Sequence, residues 1–241
     1  GLALPLAAPA AAAATSAPSI YDRLGVRTFI NAYGTLTTLS GTLMPPEVKR
    51  AMEEASLHYV PIHELQKKAG ERIAQLTGAE AAFVTAGASA SLCLATCAVT
   101  AAADPAKIDR LPDLAGMKSE IIIQKAHRNS YDHAFRMVGV KLVEVETAQE
   151  MRAAIGPRTA ALAMVLSHNS LGHKVELEEM ISIAHAAGLP VILDSAAEVP
   201  PAENLSKFVK MGADLVAFSG GKQLRGPQCS GLLLGRKDLI E

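Results

Sequence analysis

From about residue 79 the chain alternates between short apolar runs and longer stretches whose apolar residues recur every three or four positions. The first pattern predicts strands buried on both faces, and the second predicts amphipathic helices. Strands are expected at residues 79–85, 120–124, 141–145, 160–166, 190–194, 215–218 and 232–234. Between them, helices are expected at about 86–102, 130–137, 148–155, 177–187 and 205–211. Upstream, residues 20–26 open the globular part and residues 29–37 read as an extended arm with a turn at Gly34. A helix then starts at Pro45 and Pro46, where proline is tolerated in a first turn and Glu47 favours the dipole. Another runs over 62–76 and is stopped by Gly78. The expected class is α/β: three layers, with a mainly parallel sheet covered by helices on both faces.

Composition narrows the function classes. The chain has 241 residues, 49% hydrophobic and 20% charged, with a net charge of -1, which suits a globular protein with one large core. With no basic surplus, no Trp and 4% aromatics, nucleic-acid binding lacks electrostatic and stacking support. The three cysteines, Cys93, Cys97 and Cys229, are too few and too irregular for a disulfide framework or a zinc site. Residues 1–19 are almost wholly Ala, Pro and Leu. They read either as a flexible low-complexity tail or as the remnant of an export signal, for instance of the twin-arginine type, whose basic start precedes Gly1. The apolar run is short and interrupted by proline, so no membrane-spanning helix is expected there. A cytoplasmic location is the default, and export is the alternative.

The chemistry-bearing residues fall at strand ends, where ligands collect in sheets of this type. Gly87, Ala88 and Ser89 follow one strand and open a helix, leaving backbone N–H groups for an anion. His127 follows a second strand, Asp194 ends a third, and Lys222 follows a fourth on a turn between glycines. His168 and Asn169 follow a fifth. Jointly these match the needs of pyridoxal 5'-phosphate: a lysine for the Schiff base, a carboxylate for the pyridine nitrogen, a helix amino terminus for the phosphate. His127 is suited to stack on the ring, and the small Ala196 could pack against its face. Other motifs fail. Gly220-Gly221-Lys222 is not a P-loop because Gln stands at position 223, and His58, His63 and Glu64 lack the spacing of a helical zinc motif.

Several segments also carry a resemblance. Ser219-Gly-Gly-Lys222-Gln-Leu-Arg-Gly-Pro-Gln228, Asp194-Ser-Ala-Ala, Ile30-Asn-Ala-Tyr-Gly34, Glu64-Leu-Gln-Lys-Lys-Ala-Gly70 and Gln124-Lys-Ala-His-Arg-Asn-Ser-Tyr131 resemble fold-type I pyridoxal phosphate enzymes. The group is that related to bacterial selenocysteine synthase, and in particular its non-tRNA branch of ammonia-lyase type. The resemblance implies Lys222 as the Schiff-base lysine, Asp194 as the pyridine partner, and Gly87, Ala88, Ser89 and Ser219 as phosphate contacts. It implies His127 as the stacking residue.

It also implies a layout: a tail at 1–19, an amino-terminal arm at 20–45, a large cofactor-binding domain at 46–235, and at 236–241 the start of a connection to a small carboxy-terminal domain. That further domain often supplies an arginine for the substrate carboxylate, so this stretch alone is expected to be unable to turn over substrate. The short tail has no counterpart of a tRNA-binding domain, which argues against selenium transfer. The implied activity is a lyase that eliminates across the α and β carbons of an amino acid or amino-sugar acid and releases ammonia. Aminotransferase, selenium transferase and β-lyase action on sulfur amino acids are the alternatives, and a non-catalytic protein of the same fold is an alternative of another class. The implied assembly is a homodimer or higher homo-oligomer.

Overall fold

A computed structural model describes residues 17–167 and 174–241, so the candidates His168 and Asn169 and most of the tail lie outside the described residues. The described residues up to Gly34 and those from Thr35 onward form two compact units. In the first, helix α1 (Ile20–Leu24) is closed by a capping box: Asp22 N donates to Ser19 Oγ (3.1 Å) and Ser19 N donates to Asp22 Oδ2 (2.8 Å). Gly25, at φ +69°, ends that helix in a left-handed conformation natural to glycine.

The second unit is a seven-stranded sheet with helices on both faces, as the alternation of apolar runs and amphipathic stretches predicts. Its helices before the sheet are α2 (Pro46–Ala55) and α3 (Ile62–Thr77). There follow β1 (Ala81–Thr85), α4 (Ala88–Ala101), α5 (Pro105–Ile108), β2 (Glu120–Gln124) and α6 (His133–Arg136). The chain continues through β3 (Lys141–Val145), α7 (Ala148–Ala154), β4 (Thr159–Val165), α8 (Leu177–Ala186) and β5 (Val191–Asp194). It ends with α9 (Asn204–Lys210), β6 (Leu215–Ser219), β7 (Gly231–Gly235) and α10 (Lys237–Ile240).

The strand order is β1-β7-β6-β5-β4-β2-β3. Strands β3, β2, β4, β5 and β6 pair in parallel, while β7 pairs antiparallel with both β6 and β1. Six strands therefore point one way and β7 alone is reversed. Alternation sorts the side chains into two cores. Ile121, Ile123, Ala163, Ile192 and Ala217 meet Leu92 and Ala95 of α4 and Phe135 of α6 on one face. Ile122, Leu162, Met164, Leu193 and Val216 meet Met151 of α7, Met180 of α8 and Phe208 of α9 on the other. Each fully buried side chain of this size contributes about 1.5–3 kcal/mol relative to its exposed state. Among the described residues no helix is long and apolar enough to cross a membrane.

Two segments depart from the sequence expectation. The stretch 130–137 was expected as one helix; instead a 3-10 turn at Ser130–Asp132 precedes the short α6. Local bonding explains this: the Asn129 side chain accepts from Tyr131 N (2.7 Å), and Asp132 is drawn to arginines on either side. Between the helix expected at 86–102 and the strand expected at 120–124, where no element is expected, Asp104 caps α5 by accepting from Ala106 N (3.0 Å), and Pro105 fits its first turn.

One close approach fixes how β7 sits. A Cβ on Gly231 would lie 2.5 Å from Gly87 C and 2.9 Å from Ala88 N, both backbone atoms. Gly231→Ala is therefore expected to lower stability by about 1–3 kcal/mol through overpacking against a backbone that cannot yield. Urea unfolding checks this, and a midpoint equal to that of the wild type would contradict the constraint.

Candidate functional site

Where β1, β2, β4, β5 and β6 end, their carboxyl edges and the following loops enclose a cavity of about 250 Å³. The turn after β1 supplies Ala86, Gly87, Ala88 and Ser89, and Leu92 of α4 lies beneath them. Gly87 is the N-cap of α4 at φ +113°, a conformation that side chains rarely adopt. Thr85 Oγ1 donates to Gly87 O (3.0 Å) and shares a hydrogen with Ser91 Oγ (2.8 Å), while Ser91 Oγ also reaches Leu232 O (3.2 Å). The turn is thereby fastened to β7. The first hydrogen bond of the helix runs from Ser91 N to Gly87 O (3.0 Å), and no side chain caps its start. The N–H groups of Ala88, Ser89 and Ala90 thus meet no acceptor among the described residues, and the positive end of the helix dipole faces the cavity.

Opposite, Ser219 ends β6 and Lys222 follows on a turn that only glycine can build. A Cβ on Gly220 would lie 2.1 Å from Ser230 Oγ, and one on Gly221 2.5 Å from Gln228 Cα. Gly220 N donates to Ser230 O (2.7 Å), Gly226 N to Gly220 O (2.8 Å) and Arg225 N to Lys222 O (3.0 Å). A segment far upstream clasps the same turn: Thr42 N donates to Gly221 O (3.0 Å) and Thr42 Oγ1 to Lys222 O (2.5 Å). The Gln228 amide, with its nitrogen toward Gly221 O (3.1 Å) and Ser40 O (3.2 Å), completes the clasp. The backbone of Lys222 is fixed on both sides while its half-buried side chain lines the cavity.

Asp194 closes the floor. It is 8% exposed, its Oδ1 accepts from Ala196 N (3.0 Å), and Ala196 lines the wall beside it. Ser195 N donates to Ala217 O (2.9 Å), so β5 stays paired to β6 up to the acid. Among the described lining residues, Asp194 is the one carboxylate and Lys222 the one amine.

The remaining wall comes from the ends of β2 and β4. Asn129, Tyr131, Val165 and Ser167 line it. His127 is fully buried and is not among the lining residues; its Nδ1 accepts from Val165 N (3.4 Å), which places the imidazole behind the wall that Val165 forms. Gln124, 1% exposed, holds the chain where residues 174 and 175 return: its Oε1 accepts from Lys174 N and Val175 N (both 3.0 Å) and its Nε2 donates to Val175 O (2.9 Å).

Of the residues singled out from sequence, Gly87, Ala88, Ser89, Asp194, Ala196, Ser219 and Lys222 line one cavity, and His127 lies behind it. Sequence reasoning passed over Thr37, Asn129, Tyr131, Val165, Ser167 and Gln228 as lining residues. Asn129, Tyr131 and Gln228 were in motifs already quoted, so proximity to His127 and Lys222 was the available signal; Thr37 carried none. Glu198 was also missed. Burial, then the neighbouring Asp194 carboxylate, raise its carboxyl above the ordinary glutamate range, and Lys222 pulls it partly back. Burial also pushes the Cys97 thiol up to about 11, so it stays protonated and unreactive.

Comparison with known proteins adds the family. A family model described as aminotransferase class-V matches residues 41–241. The chain is 36% identical over 233 residues to D-glucosaminate-6-phosphate ammonia lyase of Salmonella typhimurium, covering 92% of this chain and 62% of that protein. It is 36% identical over 232 residues to a 5'-C-glycyluridine monooxygenase-decarboxylase of Streptomyces sp, covering 91% and 57%. An L-seryl-tRNA(Sec) selenium transferase of Moorella thermoacetica is 27% identical over 253 residues, with 90% and 50% covered. A solved structure of D-glucosaminate-6-phosphate ammonia-lyase superposes with a TM-score of 0.85 at 36% identity, covering 93% of this chain and 62% of that one. The chain therefore spans about six-tenths of the length of the first two curated relatives.

The wall that carries Asn129 and Tyr131 depends on Asp132, whose side chain is 3% exposed. Arg128 Nε (2.5 Å) and Arg136 Nε (3.1 Å) both donate to it, and Arg128 also pairs with Glu144. Burial pushes the Asp132 carboxyl up, but the hydrogen bonds and charges of the two arginines outweigh it and hold it below the ordinary aspartate range. Because the folded-state value is depressed, the stabilisation is complete above the ordinary range and is lost as pH falls through the folded-state value. Asp132→Asn is expected to cost about 1–3 kcal/mol at neutral pH, with the gap to wild type closing in acid. Urea unfolding at both pH values measures this; a gap that does not change with pH would contradict it.

Proposed function

The chain belongs to the aminotransferase class-V family, whose cofactor is pyridoxal 5'-phosphate, and on that premise we propose that the whole protein is a lyase that releases ammonia from an amino acid or amino-sugar acid. The observation that carries this reading is the meeting of Lys222, Asp194 and the uncapped start of α4 on one cavity. Each answers one demand of the cofactor. The open N–H groups at Ala88 and Ser89, with the hydroxyls of Ser89 and Ser219, suit a phosphate dianion at a helix amino terminus. The absence of a side chain at Gly87, where a Cβ would meet nothing within 4 Å, leaves room beside them.

When bound, the cofactor supplies an aldehyde for the substrate's amine and a protonated ring that draws off the electron pair left at the α carbon. Asp194 would offset the charge on the ring nitrogen, and its burial would make that pairing count for more than it does in water. Ala196, which lines the cavity, would be the small residue against the ring. His127, buried behind the wall with its Nδ1 accepting from Val165 N, would give the ring aromatic support from behind that wall. Lys222 Nζ would be the group that holds the cofactor's aldehyde, and the same amine would serve as the base for the substrate's α proton. The rigid clasp by Thr42 and Gln228 keeps its backbone from following the departing side chain.

In net terms a 2-amino-3-hydroxy acid would become a 2-oxo-3-deoxy acid plus ammonia, with no external acceptor. The neutral polar rim of Thr37, Asn129, Tyr131 and Gln228 suits a substrate rich in hydroxyls. The equal identity to a monooxygenase-decarboxylase favours a second reading, oxidative loss of carboxylate from an amino acid. A homodimer is part of the proposal: Leu43 (86% exposed), Tyr59 (108%), Leu57 and Ile62 are large apolar side chains left exposed, which a second copy would cover. Sedimentation as a monomer would remove that part.

Borohydride reduction of the cofactor-loaded whole protein is expected to fix the cofactor on the peptide containing Lys222. Lys222→Ala should abolish the labelled peptide and lower turnover by at least about a thousandfold. With D-glucosaminate 6-phosphate as the probe, ammonia is expected without oxygen uptake. Label on another lysine would overturn the site, whereas oxygen consumption with carbon dioxide release would select the second reading.

A further inference from the structure

The four polar residues on the rim of the cavity divide into two whose side chains the protein itself uses and two that it leaves open. The Asn129 amide is spent on the backbone: its Oδ1 accepts from Tyr131 N (2.7 Å) and its Nδ2 donates to His127 O (3.3 Å). The Gln228 amide nitrogen is spent likewise, on Gly221 O (3.1 Å) and Ser40 O (3.2 Å). The hydroxyls of Thr37 and Tyr131 bond to no group among the described residues, although both residues line the cavity. Each spent amide fixes the turn that carries an open hydroxyl. Asn129 caps the 3-10 turn Ser130–Asp132 that presents Tyr131. Gln228 holds Ser40, which closes the 3-10 turn Thr37–Leu39 through Ser40 N on Thr37 O (3.1 Å). Ser40 sits at φ +66°, a left-handed conformation that costs a serine free energy and that its neighbours hold in place. Gly41 N donates to Leu36 O (2.9 Å), and a Cβ on Gly41 would lie 2.1 Å from Gly221 O, so the turn is seated closely on the one that carries Lys222.

The two open hydroxyls come from different walls. Thr37 is fastened to the turn after β6, Tyr131 follows β2, and β5 and β4 lie between those strands. The nitrogen and the aldehyde of the cofactor stand at opposite corners of its ring, so with the nitrogen at Asp194 a substrate amine would arrive where Lys222 stands. The segment that carries Thr37 is bonded to that place through Thr42, to Gly221 O (3.0 Å) and Lys222 O (2.5 Å). Lys222 is the one cation among the described lining residues, so the rest of a substrate chain meets neutral donors and acceptors on this rim. A hydroxyl both donates and accepts, and can therefore pair with a substrate hydroxyl in either sense. Resting on the function proposed above, we propose that Thr37 and Tyr131 are specificity-determining residues that grip the hydroxyl-bearing carbon chain of the substrate from two sides, with Gln228 as the positioning residue for Thr37. The substrate class this selects is an amino acid whose chain carries hydroxyls beyond the β carbon, since a site built to bond a hydroxyl discriminates against an analogue that lacks it.

Calorimetric titration of the cofactor-loaded whole protein with D-gluconate 6-phosphate, which carries the hydroxyl chain but no amine to react, reads the grip directly. Thr37→Val and Tyr131→Phe are each expected to weaken binding about fivefold to tenfold, with Thr37→Ser close to wild type. No binding by wild type, or unchanged affinity in both variants, overturns the proposal; so does an equal loss with inorganic phosphate as the probe, because the hydroxyls are then not what the residues read. In turnover of D-glucosaminate 6-phosphate the same substitutions should raise KM by more than they lower kcat, and a loss confined to kcat overturns the specificity role. Gln228 is tested without cofactor. Hydrogen exchange at the amides of Leu39, Ser40 and Gly41 in cofactor-free whole protein should speed up about tenfold or more in Gln228→Ala, and also in Gln228→Glu, which keeps the shape but has no N–H to donate. Exchange equal to wild type in both overturns the positioning role. If wild-type protein releases no ammonia from D-glucosaminate 6-phosphate, the function proposed above fails, while the titration and the exchange still decide the grip and the tether.

Discussion

The site depends on one reversed strand. β7 lies between β1 and β6 and runs against both, so that Gly231 is paired with Thr85 on one side and Ser219 on the other. That single residue brings the turn that opens α4 next to the turn that carries Lys222, although the two are far apart in the chain. No side chain is tolerated there, because the backbone of Gly87 and Ala88 occupies the space. The uncapped start of α4 and the amine presented after β6 thus become neighbours through strand pairing. The parallel strands β5, β4 and β2 then set the distance from these turns to Asp194 and to the His127 wall by register alone.

Rigidity at this edge is built from backbone contacts. The Lys222 turn is held through carbonyls, by Thr42, Arg225 and Gly226, and the α4 turn is held through Thr85 and Ser91. The wall with Asn129 and Tyr131 is held from behind by the buried Asp132 and its two arginines. Charge is distributed in the same spirit. A buried carboxylate costs free energy unless an opposite charge or hydrogen bonds compensate it. Asp194 has a backbone N–H on one oxygen and shares the cavity with Lys222, whereas burial raises the carboxyl of Glu198. An imbalance of this kind is what acid–base chemistry at a fixed site requires.

The fold was readable from sequence because its strands are buried on both faces and its helices on one. Ile121, Ile122 and Ile123 form an unbroken apolar run, and the helices 148–155 and 177–187 end within a residue of α7 and α8. Gly87, Ser89, Asp194, Ser219 and Lys222 could be named because each sits at a strand end, and strand ends of a parallel sheet converge. What the sequence hid is set by tertiary contact. The reversal of β7 leaves no local signature beyond glycines, and the clasp of residues 40–42 on the Lys222 turn spans most of the chain. The helix expected at 130–137 was cut short by side-chain bonds from Asn129 and Asp132 that a periodicity of apolar positions does not register.

The central claim is that strand pairing assembles one cofactor cradle from these turns. An X-ray structure of the whole protein crystallised with pyridoxal 5'-phosphate tests it most directly. Electron density is expected to run unbroken from Lys222 Nζ into the cofactor, with the ring nitrogen within hydrogen-bonding distance of Asp194 and the phosphate against the N–H groups of Ala88 and Ser89. A cofactor bound elsewhere, or a phosphate turned away from the start of α4 with Lys222 unattached, would contradict the account.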